Sequence, residues 1–205
     1  HIALSPGSLV FPLTFLLSDI ITEVYGYKHA RKAIWAAFLF NIIFIGFGQI
    51  VIHMPSPSFA VDNANFDKLL TMNIFVVLGS FVSYLTSEPI NSLIVAKLKI
   101  ACKGELIGIR FVLSTVIAAA VDSVLFTLIA FGRTYQTHAL LMLMLSIWGA
   151  KVIIEIIGLP VSIRLAKWLK KKEKLDIYDF NTNFNPISLN SQYSTEANLF
   201  NKEKG

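Results

Sequence analysis

Apolar positions in this chain come in long blocks rather than alternating with polar ones. Residues 33–52, AIWAAFLFNIIFIGFGQIVI, carry no charge, and a helix of that length crosses a hydrocarbon core of ~30 Å. Uncharged runs at 2–18, 69–87 and 134–150 lie close to the minimum spanning length, and 111–132 is interrupted only by Asp122 at its centre. The first run has no basic stretch before it and no A-x-A site after it, so it reads as a span rather than a signal peptide. The pattern predicts five helical spans, at about 7–25, 31–53, 69–97, 107–132 and 139–169. The expected fold class is an all-α polytopic membrane protein, with the helix bundle filling residues 1–174.

From Leu175 the character changes. LDIYDFNTNFNPISLNSQYSTEANLFNKEKG is polar and rich in asparagine, too poor in aliphatic side chains to order itself. Residues 175–205 are expected to form a cytoplasmic tail, largely disordered. The stretch 54–68, with Pro55 and Pro57, is expected to be an extracellular connection.

Composition agrees with the pattern. The chain is 55% hydrophobic and 15% charged, where soluble domains carry roughly a quarter charged residues. A net charge of +5 would suggest nucleic acid until the charges are located. They gather at alternate helix ends: Lys28, Arg31 and Lys32; Lys97, Lys99, Lys103 and Arg110; and a cluster from Arg164 to Lys174. The opposite loops hold only Lys68 and Arg133. Such asymmetry assigns the basic ends, and the C-terminus, to the cytoplasm. Nucleic acid is not an expected partner; the lipid bilayer is. Five spans would leave residue 1 outside, so a sixth span upstream of His1 is expected to restore both termini to the cytoplasm. Cys102 is the single cysteine, which excludes an intrachain disulfide and a thiol metal cluster.

The candidate chemistry lies in charges that fall within lipid-spanning blocks. Asp19, Glu23, Glu88, Asp122, Glu155 and Lys151 all lie within or at the ends of spans. Facing lipid, each would cost ~2.5–3.5 kcal/mol. They must therefore face the bundle interior, pair, or become neutral. Lys151 and Glu155 are four residues apart and can pair along one helix. Asp122 has no charge near it on its own helix and needs a partner from another helix, a ligand or a proton. Asp19 and Glu23 share a helix face, so they repel unless a cation or a donor sits between them. Glu88-Pro89-Ile90-Asn91 is expected to break the third span, because proline removes a backbone donor. A carboxylate and an amide beside such a break make a plausible binding element. Arg110 could neutralise an interior acid or contact headgroups. Gly79, Ser83 and Ser87, and likewise Ser114 and Ala118, recur every four residues as helix-packing seams do.

The chain lacks HExxH, GxSxG and any Walker-type loop, so the familiar zinc-protease, serine-hydrolase and ATPase signatures are missing. The scattered acids have no metal-ligand spacing. The reading is a transporter rather than an enzyme, with no cofactor and no metal; an intramembrane acid–base pair of Asp19 and Glu23 is the enzymatic alternative.

FPLTFLLSDIITEVYGYKHARKAIW (11–35), RFVLSTVIAAAVDSVLFTLIAF (110–131) and KVIIEIIGLPVSIRLAKWLKKKEKLDIYDFNTNFNP (151–186) together closely resemble the queuosine-precursor transporter family, also called the vitamin uptake transporter family. Members usually have a helix before this point. The resemblance implies a six-helix bundle similar to the substrate-binding subunits of energy-coupling-factor vitamin importers. It implies a bacterial inner-membrane importer whose cargo is 7-cyano-7-deazaguanine, 7-aminomethyl-7-deazaguanine or queuine, used to modify transfer RNA. The substrate-binding set on this reading is Asp19, Glu23, Glu88, Asn91, Asp122 and Glu155, with Arg110 and Lys151 as charge partners. A guanine-like edge offers an N1–H beside a 2-amino group, which a carboxylate accepts as a bidentate pair. One of Glu88, Asp122 or Glu155 is expected to read it, with Asn91 on the O6 and N7 side. Proton coupling and downhill flow with metabolic trapping both remain open as the driving force. The alternative is a binding subunit of an ATP-driven importer that needs a separate coupling module; a second copy of the chain is the other candidate protein partner.

Overall fold

The computed structural model describes residues 7–55, 67, 74–188 and 190–200, with side chains from Leu13 onward. Among the described residues five helices follow one another: α1 Gly7–Tyr25, α2 Tyr27–Ile52, α3 Ile74–Ala101, α4 Ile107–Phe131 and α5 Thr137–Glu173. A short 3₁₀ turn at Thr195–Ala197 lies in the tail. Each helix matches one of the expected spans to within a few residues. Of the expected connection at 54–68, only Met54, Pro55 and Asp67 are described.

The chain is all-helical, with α2, α4 and α5 long and apolar enough to cross a membrane. At 1.5 Å per residue, the 37 residues of α5 extend to about 55 Å. That exceeds the hydrocarbon core, so the basic end of the helix stands clear of it. The helices pack most extensively α3 on α4, then α4 on α5 and α1 on α5, with α2 held between α1 and α3.

Period-four rows explain which faces turn inward, because residues four apart share one face of a helix. On α3 the row Gly79, Ser83, Ser87, Asn91, Val95, Lys99 is buried throughout. On α4 the row Arg110, Ser114, Ala118, Asp122 is buried as well. On α1 the same spacing buries Phe15, Asp19 and Glu23. The interior is thus largely polar, and many large apolar residues look outward: Phe40, Phe44, Phe47 and Ile157 are among the most exposed. This inversion is what a bundle solvated by acyl chains requires.

Small residues set the close approaches. A Cβ at Gly79 would lie 3.2 Å from the Phe126 carbonyl oxygen of α4, and one at Gly158 would lie 2.6 Å from Leu16 of α1. The expected break at Glu88–Asn91 does not occur. α3 runs unbroken through Pro89, so the missing donor costs only the bond to the Leu85 carbonyl, one turn earlier.

The tail also departs from expectation. The described residues from Leu175 to Phe200 pack onto the loop end of the bundle rather than lying free. The Ile177 N–H donates to the Val24 carbonyl, and Ile177 pairs with Asn198 in an isolated antiparallel bridge. Arg31 of α2 donates to the carbonyls of Asn183, Asn185 and Asn190. Backbone carbonyls and a few carboxylates do the ordering here, and hydropathy does not register either.

Candidate functional site

All six candidate polar residues are buried: Asp19, Glu23 and Asn91 are 0 % exposed, Glu155 1 %, Glu88 2 % and Asp122 7 %. Their environments separate them into two kinds.

Glu23 and Asp122 are held by internal cations. Arg110 of α4, itself buried, grips Glu23 with both terminal nitrogens at 2.6 and 3.0 Å, a fork geometry only arginine provides. Lys170 of α5 adds a third contact to Glu23 at 2.6 Å and reaches Asp176 of the tail at 2.7 Å. Lys99 completes the network: its ammonium donates to Asp176, to the Glu23 carbonyl and to the Ile177 carbonyl. Its three protons have three acceptors, which is what a fully buried ammonium needs. Arg110 is therefore an interior partner and not a headgroup contact. Lys99 and Lys170, read from the sequence as loop charges, tie α1, α3, α4, α5 and the tail together at this end. The signal for Lys99 was its place on the buried row of α3.

Asp122 takes its partner from another helix, as its isolation on α4 required. Lys151 of α5 bonds its carboxylate, and Ser87 of α3 donates to it at 3.3 Å. Lys151 and Glu155, spaced so that they can pair along one helix, do not pair. Helical side chains lean toward the N-terminus, so a lysine four residues before a glutamate leans away from it, the weaker of the two orders.

Asp19, Glu88 and Glu155 have no ion pair among the described residues. Asp19 accepts from the Asn91 amide, which leaves its Oδ2 and the Asn91 Oδ1 without partners. Thr14 donates to one oxygen of Glu88 at 3.2 Å, and the other is unpartnered. Both oxygens of Glu155 are unpartnered, and the Thr115 hydroxyl beside it makes no hydrogen bond either.

A cavity of about 200 Å³ opens between α1, α2 and α3, lined by Thr14, Leu17, Ser18, Ile34, Tyr84 and Glu88 among others. A second of about 190 Å³ shares its Thr14, Ala37 and Tyr84 walls and adds Phe38, Asn41 and Phe81. Together they reach the ~300 Å³ lower end of small-molecule sites. Glu88 is the one candidate carboxylate on their walls. Tyr84, which lines both, was not singled out in the sequence; it lies four residues before Glu88, on the same face.

The family model described as "Putative vitamin uptake transporter" matches residues 5–165. The chain belongs to this family. A relative from Bacillus subtilis (strain 168), named "Probable queuosine precursor transporter", is 23% identical over 171 residues, covering 82% of this chain and 74% of the relative. No solved structure matches. The chain is thus an integral membrane transporter of the vitamin uptake family. The small-residue rows Gly79/Ser83/Ser87 and Ser114/Ala118, read as helix-packing seams, are buried inside the bundle. Neither is a free docking surface.

Proposed function

We propose that this transporter imports a 7-deazaguanine precursor of queuosine and binds the base in the cavity between α1, α2 and α3. The observation that carries the reading is the Glu88 carboxylate, buried on the cavity wall with an unpartnered oxygen. The heterocycle's N1–H and 2-amino group would donate to Glu88 side by side, a charge-assisted pair strengthened by the dry surroundings. The Tyr84 ring offers a face for the flat base. Glu23 and Asp122 hold the helices in register rather than bind cargo, because internal donors already occupy them.

The likeness to the B. subtilis relative supports the cargo class. The gathering of basic residues on alternate helix ends supports a cytoplasmic tail in a bacterial inner membrane, and the cavity flanked by packed helices supports alternating access. Glu88→Gln keeps the shape but replaces one acceptor oxygen with a donor, facing two donors on the base. Uptake of labelled 7-cyano-7-deazaguanine by cells carrying Glu88→Gln should fall at least tenfold while protein level is maintained. Uptake equal to that of the unaltered chain would remove Glu88 from the site.

A further inference from the structure

The interior charges do not balance. Glu23 is answered by Arg110 and Lys170, Asp122 by Lys151, and Asp176 by Lys99 and Lys170. Glu88 lines the cavity assigned to the base. Asp19 and Glu155 line neither cavity, yet each is buried from solvent, and three of their four carboxylate oxygens have no hydrogen-bond partner. They stand on α1 and α5, which pack directly on each other. The two helices approach closely beside these residues, where a Cβ at Gly158 of α5 would lie 2.6 Å from the Leu16 side chain of α1.

Two ionised carboxylates enclosed in this way cost several kcal/mol each in desolvation, before their mutual repulsion. A bound cation would relieve both. The described residues, however, contain no group of three or more acidic, histidine or cysteine side chains able to hold a metal ion, and Asn91 already occupies one oxygen of Asp19. A proton needs only one oxygen. We infer that Asp19 and Glu155 form a proton-binding pair whose exchangeable proton couples movement of the substrate to the proton gradient.

The surrounding groups leave the pair to itself. From α1, Glu23 faces Arg110 and Lys170; from α3, Asn91 donates to Asp19, and Glu88 bonds Thr14; from α4, Asp122 is held by Lys151 of α5. On α2, Lys28 and Arg31 turn to carbonyls of the tail, while His29 and Lys32 are exposed. In transport, one proton from the outer solution would join the pair as the base enters its cavity. The neutral pair tolerates the closed, dry bundle, and the proton leaves to the cytoplasm when that side opens. No bond of the substrate changes; one proton travels with one neutral base.

This inference rests on the transport reading, and two measurements separate their failures. The first needs no substrate. Infrared spectra of the purified chain, titrated with acid and base in light and heavy water, should show a protonated-carboxyl stretch. The band should weaken in Asp19→Asn and Glu155→Gln, weaken further in the double variant, and persist in Glu155→Asp. A band unchanged in the double variant, or absent from the unaltered chain, overturns the pair. The second uses proteoliposomes with the membrane potential clamped at zero. An acid-outside gradient of one pH unit should drive accumulation of labelled 7-cyano-7-deazaguanine, up to about tenfold for one proton per substrate. Glu155→Asp should retain this response and Glu155→Gln should lose it. Uptake indifferent to the gradient in the unaltered chain overturns the coupling while leaving the cargo intact. A carboxyl band that behaves as expected in vesicles taking up no deazapurine overturns the cargo while keeping the pair. Thermal unfolding of each variant identifies any loss that comes from misfolding, and Glu155→Asp then carries the test.

Discussion

Arg110 shows how much rests on single contacts in an interior this polar. It is buried and donates to Glu23, to the Glu105 carbonyl and to the Gly104 carbonyl. Arg110→Ala takes the guanidinium from Glu23 and leaves the Lys170 ammonium, with Lys99 close by, as partial compensation, so the loss should stay below the about 3–5 kcal/mol of a buried carboxylate left with no partner. A drop in thermal unfolding temperature of many degrees is expected in detergent, with partial recovery in the double variant Arg110→Met/Glu23→Met. Arg110→Lys should recover little, because one ammonium cannot span both oxygens of Glu23. A melting temperature unchanged in Arg110→Ala would mean that the fork contributes nothing to the folded bundle.

At the scale of elements, the start of α2 depends on the tail. Helix N-termini leave amides unpaired, and Gly26 at the N-cap has no side chain to offer. The tail supplies the caps instead: Asp179 accepts from the Tyr27 N–H, and the Tyr193 hydroxyl accepts from the Lys28 N–H while donating to Asp179. Gly26 has φ +81°, and a Cβ there would come within 2.5 Å of the Tyr193 hydroxyl oxygen. Gly26→Ala is therefore strained twice and should release the tail, read as faster cleavage by protease between Leu175 and Phe200. Burial, and after it the Asp179 carboxylate, raises the Tyr193 hydroxyl above its ordinary 10.0. Because the folded form holds this proton more tightly, its contribution is complete below pH ~10 and falls as pH rises beyond it. Protection of the tail should weaken above that pH and lose this dependence in Tyr193→Phe.

For the whole molecule, a ligand that binds only the folded bundle must raise its stability by RT ln(1 + [L]/Kd), about 2.7 kcal/mol at a hundredfold excess over Kd. The guanine-like 7-deazapurines should stabilise the purified chain in this way. Adenine should not, since it lacks the N1–H and 2-amino donors that Glu88 would accept. Equal stabilisation by both would place recognition somewhere other than the carboxylate.

Residue by residue, the division between sequence and structure follows the range of the forces involved. The five helices and their approximate ends were legible because lipid demands long apolar runs, and the inward turn of Asp19, Glu23, Glu88, Asp122, Lys151 and Glu155 because charge in hydrocarbon is costly. Those are one-body penalties that each residue bears wherever the chain goes. Partner choice is a relation between helices far apart in sequence. Lys151 could reach Glu155 on its own helix and chose Asp122 on another. Pro89 signalled a break that the surrounding helix absorbed. The tail, too polar to order itself, found order in the carbonyl and ammonium partners at the bundle's end. Only the packed structure could decide these, because each is fixed by where a second side chain stands in space, and a linear pattern carries no such distance.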